Sequence, residues 1–453
     1  MTGKYDVIIV GGGPAGISAA YELIKLDPNL KILLTEKGPI RTIDDKKNTL
    51  FGFGGAGAFS DGKLTLSSEV GGQLNKLFSP EELKELMDYV VNLYEKFGGE
   101  QETKIGKKDR VLELTKKAKA VGLELIPYPV KHWGREGAYL LIENIRKYLE
   151  SRIEILCEHE VVSIKRIDKK FGIILDSEES YCANSLMLAP GRAGANWLAN
   201  QMEKLRIKME NNPVDLGIRV EAERLLLDEL TENLYDFKLR YLTRERRDLV
   251  RTFCVCPGGK VVIEEHLEED PYYAIVNGKT DKTLQTKNTN FAILVTMPFT
   301  EPFKDANAYG KHVVRLATLL ANGSVLVQTL ADFQNKRRSK LSSLQGFPVR
   351  PTLSEAAPGD LRLVLPERFS ADISETLEVL DKFIPGINNG NNILLYGVEV
   401  KFYSRRVTVQ KNCQTSIPGL YVIGDGSGWT RGLLWSSAMA VIAARDIVDK
   451  KKN

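Results

Sequence analysis

Residues 6–10 form a short apolar run opened by Asp6, and residues 17–26 follow with apolar side chains at helical spacing. The first pattern suits a parallel strand covered on both faces; the second suits an amphipathic helix. Residues 31–35 repeat the strand pattern. Further along, residues 80–98 predict a helix, with Ser79 as its N-cap and Leu83, Leu86, Val90, Val91 and Leu93 on its apolar face. Residues 137–151 predict another. Residues 160–164 and 185–188 read as strands. Between 211 and 390 the pattern turns strand-rich, with strands expected at 215–220, 249–256, 260–265, 272–276 and 290–296 and a helix at 305–320 packed on their sheet. Residues 393–409 lead back to a final strand near 421 and a closing helix at 432–449.

Composition adds limits rather than direction. The 453 residues are 43% hydrophobic and 27% charged, as in an ordinary globular protein. Lys and Arg number 63 against 59 Asp and Glu, so no polyanionic partner is demanded and no nucleic acid is expected. The basic clusters Arg244, Arg246, Arg247 and Lys336, Arg337, Arg338, and the tail 450–452, are short enough to read as solvated faces. A strand pattern from residue 5 predicts no signal peptide, and no apolar run reaches the roughly 20 residues of a membrane span. Five scattered cysteines suit reduced thiols in a cytoplasmic protein.

The first strand runs straight into Gly11-Gly12-Gly13-Pro14-Ala15-Gly16. In such a turn Gly11 permits the tight bend, Gly13 lets backbone approach a pyrophosphate, and Gly16 lets helix pack closely on strand. The free N–H groups and dipole of the helix favour phosphate charge. The second strand ends in Glu36, twenty residues past Gly16, followed by Lys37. A carboxylate there can accept hydrogen bonds from both hydroxyls of a ribose. Strand, glycine turn, helix, strand and acid together mark a nucleotide-binding, Rossmann-like unit.

At the other end of the chain, Thr415-Ser416-Ile417-Pro418-Gly419-Leu420-Tyr421-Val422-Ile423-Gly424-Asp425-Gly426 resembles the second FAD motif of glutathione-reductase-like and hydroxybenzoate-hydroxylase-like flavoproteins. The resemblance implies that Asp425 bonds a ribitol hydroxyl, and that Gly432 and Leu433, opening the last helix, face the flavin. Between these ends, Val161 begins a strand whose backbone can meet the adenine. Residues 185–192 resemble the Ala-Thr-Gly segment of the same proteins through Ala189 and Gly191, with Pro190 in place of the Thr. No second glycine fingerprint follows a strand in mid-chain, so a single nucleotide seat is expected.

Several segments resemble a broad family of uncharacterised FAD-dependent dehydrogenases of the single-dinucleotide-domain type related to the aromatic-ring hydroxylase fold. They are residues 51–64, rich in glycine, residues 212–221, Cys254-Val255-Cys256-Pro257-Gly258-Gly259, Val276-Asn277-Gly278, and residues 424–432. Trp435 and Ala440 depart from it, standing where a Gln and a Gly are expected. The resemblance implies an α/β Rossmann-like FAD-binding domain, a parallel sheet with helices and a β-meander, discontinuous in sequence. It implies also a second α+β substrate domain with a mainly antiparallel sheet. The expected division is 1–75, 131–210 and 391–453 for the FAD domain, 76–130 for a helical insertion and 211–390 for the substrate domain.

Within this frame Gly55, Ala56, Gly57 and Ser60 are read as touching the pyrophosphate and flavin, since glycine permits close backbone approach. Lys63 is a candidate cation for the reactive flavin edge or a phosphate contact. Cys254 and Cys256 alternate on a predicted strand and are expected to face one side. They read as a redox pair, a pocket lining or small core residues, with no further ligands spaced for a metal. His132 is a candidate acid or base or a capping residue, and Arg431 a candidate beside the flavin.

The leading function is an FAD-dependent oxidoreductase, a dehydrogenase passing hydride through flavin N5, its small-molecule substrate held between the two domains. A monooxygenase or oxidase is the alternative of the same class. An RNA-binding flavoprotein akin to tRNA-modifying enzymes, or a flavin redox sensor, is the alternative of another class. Transient reaction with NAD(P)H or another electron carrier stays open, and sequence leaves the oligomeric state undetermined.

Overall fold

The computed structural model describes residues 3–43, 51–58, 60, 62–266, 270–280 and 285–452. Phe59 and Asp61 of the glycine-rich segment lie outside the described residues. The chain divides into two compact units, one of Met1–Lys104, Pro129–Asn212 and Ser404–Asn453, the other of Ile105–Tyr128 and Pro213–Tyr403.

In the first unit five strands run parallel, in the order Glu154–Cys157, Ile32–Glu36, Gly3–Val10, Ser180–Leu188 and Leu420–Val422. Ser180–Leu188 also continues antiparallel into Lys170–Leu175 and Val161–Ile167, a β-meander. The unbroken apolar run at the N-terminus follows from burial on both faces. Val7 and Ile9 pack with the helices Pro14–Leu26 and Leu433–Lys452, while Ile8 and Val10 pack under the meander and the helix Ala195–Lys204. Each such side chain, fully buried, contributes about 1.5–3 kcal/mol. The helix Pro80–Gly98 begins as expected: Ser79 Oγ accepts from Glu82 N and Ser79 N donates to Glu82, a capping box. All five of its predicted apolar positions are buried.

The second unit is built on an eight-stranded sheet in the order Ala357–Pro358, Leu326–Thr329, Leu394–Lys401, Val214–Glu223, Asn288–Met297, Leu249–Pro257, Phe237–Leu242 and Glu124–Pro127. Every pairing but the first is antiparallel. The helices Lys108–Ala120, Ala306–Leu320 and Glu367–Phe383 supply its core, and Asp305 caps the second by accepting from Ala308 N at 2.9 Å. The hairpin Lys260–His266 with Tyr273–Lys279 stands as a separate two-stranded sheet.

The segment read as an insertion supplies Pro80–Gly98 to the first unit and Lys108–Ala120 to the second. The chain returns to the first unit at Ser404 rather than near 391, because Leu394–Lys401 pairs with Val214–Glu223 and Leu326–Thr329. The helix Glu367–Phe383 is absent from the sequence reading, although Phe369, Ile373, Leu377 and Leu380 carry its spacing. Among the described residues no helix is long and apolar enough to cross a membrane.

Candidate functional site

The fingerprint turn is closed on one side and open on the other. Gly11 has φ +108°, and a Cβ there would stand 2.2 Å from the Ala189 carbonyl oxygen. A Cβ on Gly16 would lie 1.9 Å from the Gly11 oxygen, so helix and turn touch through backbone alone. Gly13 is the N-cap of Pro14–Leu26, with no side-chain cap, and a Cβ on it would meet nothing within 4 Å. Pro14 fills the first helical position, where its missing N–H costs nothing.

The other expected stretches converge on this turn. Gly54 N donates to Gly12 O at 2.8 Å, docking the glycine-rich loop. Gly55–Ala58 forms a short helix there, and a Cβ on Gly57 would meet both Pro14 and Leu433. Gly424 backs against Ala15, and Gly426 against the carbonyl of Gly191. Gly191 and Gly432 both have positive φ and open space where a Cβ would project. Thus the open positions Gly13, Gly191 and Gly432 come from three distant parts of the sequence and belong to one neighbourhood of the first unit. Such a cradle fits a dinucleotide.

Glu36, 6% exposed, accepts three backbone N–H groups: Gly12 on Oε2 at 2.8 Å, and Gly38 and Gly52 on Oε1 at 3.0 and 2.9 Å. The sequence reading gave this carboxylate wholly to a ligand. In the structure it first ties the fingerprint to the glycine loop, and of about four acceptor positions one is left. Asp425 is likewise engaged, accepting from Thr430 Oγ1 at 3.1 Å and Ser436 Oγ at 2.6 Å on Oδ1, and from Gly432 N at 3.1 Å on Oδ2. Thr430 and Ser436 escaped sequence reading because hydroxyl residues at a helix start carry many roles. Ser60 bonds within its own loop, to Gly57 O and Gly62 N. Lys37 is exposed, its Nζ 4.7 Å from the Phe51 ring centroid. Val161 opens the meander directly after the segment whose His159 N bonds Glu36 O.

Lys63 and His132, read separately from sequence, are brought together. Lys63–Thr65 and Val130–His132 pair antiparallel with Lys63 opposite His132, both half-buried. Arg431 donates its backbone N–H to Gly71 O at 2.7 Å and is half-buried.

The cysteine pair needs correction. A bulge interrupts the strand between Phe253 and Cys256, with Cys254 at φ +47°, so alternation fails there. Cys254 is exposed and Cys256 buried. Burial pushes the Cys256 thiol up to about 11, against the pull of Arg219. The bulge gives the motif another role: the Cys254 carbonyl accepts from Arg219 Nη2 at 3.2 Å. Arg219 is fully buried and pairs with Glu399 through Nε at 3.1 Å, and Glu399 pairs in turn with Lys401 at 3.0 Å. Gly278 of the Val-Asn-Gly segment lies so close that a Cβ would meet the Arg219 guanidinium at 2.6 Å. Three of the resembling segments therefore meet at one buried ion cluster in the second unit. Among the described residues no three His, Cys, Asp or Glu side chains are grouped to hold a metal.

Comparison with known proteins follows this division. Residues 5–213 match the model of the pyridine nucleotide-disulphide oxidoreductase family. Residues 213–402 match the model described as FAD-dependent protein, C-terminal domain-like. An uncharacterised protein of Clostridium beijerinckii is 25% identical, over 99% of this chain and 81% of its own. Among solved structures, glycine oxidase from Geobacillus kaustophilus is similar at 11% identity with a TM-score of 0.39, covering 99% of this chain and 95% of that one. The p-nitrophenol 4-monooxygenase of Pseudomonas putida matches at 11% identity and a TM-score of 0.39, over 100% of this chain and 81% of that one. The two family models meet at residue 213 and together run from residue 5 to residue 402, and on these two matches the chain is an FAD-dependent oxidoreductase.

Proposed function

We propose that this oxidoreductase is a dehydrogenase or reductase, passing hydride through flavin N5 to or from a small organic substrate. The supporting observation is the single cradle on which residues 11–16, 189–191 and 424–433 converge, with the N-terminal ends of two helices at it. FAD, when bound, supplies the hydride chemistry; the protein supplies placement and charge.

Gly13, Ala15 and Gly16, at the uncapped start of the first helix, would take the pyrophosphate on backbone N–H groups, with Gly55, Ala56, Gly57 and Ser60 closing over it. Glu36 would hold the adenosine ribose through its remaining acceptor position, with Lys37 and Val161 toward the adenine. Asp425 would accept a ribitol hydroxyl on Oδ2, which has one donor, Gly432 N. The N-terminal end of Leu433–Lys452 would then stabilise negative charge arising on the reduced ring. Lys63 and His132 would add a cation and a proton-exchanging imidazole from paired strands. Internal disulphide chemistry is disfavoured, since burial pushes the Cys157 and Cys256 thiols up to about 12 and 11.

The test is anaerobic reduction of the FAD-loaded protein by NADH, NADPH and a panel of small organic reductants, followed by reoxidation with dioxygen. Reduction at a rate that supports turnover, with slow reoxidation by dioxygen, is expected. Reoxidation faster than turnover, releasing hydrogen peroxide or an oxygenated product, would move the assignment to an oxidase or monooxygenase.

A further inference from the structure

Trp435 stands where the resembling family suggests a smaller polar residue, and the structure gives its indole a defined task. The ring is 4% exposed, and Nε1 donates to two carbonyls of one loop, Ser67 O at 3.1 Å and Val70 O at 2.9 Å. The same loop, residues 67–73, is stitched along its length to the segment before the last helix. Gly71 O accepts from Arg431 N at 2.7 Å, Gly72 bridges Thr430, and Gln73 N donates to Trp429 O at 2.8 Å. Its far end is held as well, Gln73 bonding Asn212 at 3.0 Å and Arg406. Fit is close at the indole. Gly71 has φ +101°, and a Cβ on it would lie 2.6 Å from Trp435 Cδ1 and 2.9 Å from Arg431 O.

Residues 429–431 are thus fixed on their outer side by this strap. On their inner side Thr430 and Gly432 bond Asp425. We propose that Trp435 is a positioning residue for the cofactor: by anchoring strap 67–73 it fixes residues 429–432, and through them the carboxylate of Asp425 and the N-terminal end of the last helix. The indole need not touch the flavin. Its influence passes through two carbonyls, one loop and the hydroxyl of Thr430. The inference rests on the reading that Asp425 and this helix end hold the flavin.

The test uses the full-length apoprotein and added FAD. Trp435→Phe keeps the ring in the core and removes the donor; Gly71→Ala pushes on the same contact from the strap side. Each is expected to weaken FAD binding about tenfold, the loss of roughly one to two hydrogen bonds' worth of net stability. Each should also change the visible circular dichroism of bound FAD in the same way. The double variant should bind no more weakly than the weaker single, since both break one coupling. Leu83→Ala, in the same hydrophobic core but making none of the strap's hydrogen bonds, is the control: it should lower the melting temperature with the flavin spectrum unchanged. Wild-type affinity and spectrum in Trp435→Phe and Gly71→Ala, or fully additive losses in the double variant, would overturn the proposal. Failure of the wild-type protein to bind FAD would instead overturn the reading beneath it.

Discussion

The candidate site of the first unit and the large sheet of the second use polar side chains in different ways. At the site, carboxylates hold backbone: Glu36 takes the N–H groups of Gly12, Gly38 and Gly52, and the half-buried Asp425 takes that of Gly432 beside two hydroxyls. In the second, buried charges bond one another across strands. Arg219 pairs with Glu399 and Lys401 follows, Asp215 pairs with Arg251, and Glu221 accepts from Tyr396 at 2.6 Å and Thr352 at 2.5 Å. The first arrangement leaves acceptor positions over for a ligand while shaping a cradle. The second neutralises charge internally, and its balance depends on every partner being present.

The largest expected effect follows from that dependence. Glu399→Gln leaves Arg219 and Lys401 buried without their counter-charge and should cost about 3–5 kcal/mol, read from the denaturant midpoint. Adding Arg219→Met should recover part of the loss. Equal stability of wild type and Glu399→Gln would erase the contrast between the units.

In the first unit the next effect is on turnover rather than stability. Lys63→Met should lower kcat about 100-fold if the lysine stabilises charge in the transition state, with little change in the melting temperature. Unchanged rates of flavin reduction and reoxidation would remove Lys63 from the chemistry. Glu36→Gln replaces one accepting oxygen by a donor, leaving a buried backbone N–H unmatched. It should cost about 1–3 kcal/mol, shared between stability and FAD affinity. Titration of the apoprotein with FAD, beside a melting curve, separates the shares.

The last effect is a pH dependence in the second unit. Asp372 is fully buried beside Asp248, and burial first, then the hydrogen bond and charge of Asp248, raise its carboxyl to about 7. Arg246 and Thr243 oppose the rise, while Arg368 pairs with Asp248. Because the folded state holds this proton more tightly than the unfolded chain, stability should fall as pH rises from about 4 to 7. Asp248, whose carboxyl is lowered mainly by Arg368, acts in the opposite sense but only below the unfolded carboxylate range. Melting curves of Asp372→Asn across that window should be flatter than wild type; parallel curves would remove Asp372 as the titrating group.

Legibility divides along the same line as chemistry. The fingerprint turn and the strands around it were legible because Gly11 and Gly16 meet within one turn, so spacing along the chain encodes geometry there, whereas the bonds of Glu36 to Gly12 and Gly52 and of Asp425 to Ser436 join residues 24, 16 and 11 positions apart and were not. Two-sided burial of residues 7–10 was readable for the same local reason. Tertiary structure alone decided what lies across from what. It set Lys63 opposite His132, turned Cys254 away from Cys256 at a bulge, and returned the chain at Ser404 rather than near 391. It also placed Trp435 under a loop more than 360 residues earlier in the sequence. Strand register and loop docking are sums over many weak, distant contacts, and no single spacing in the sequence records them.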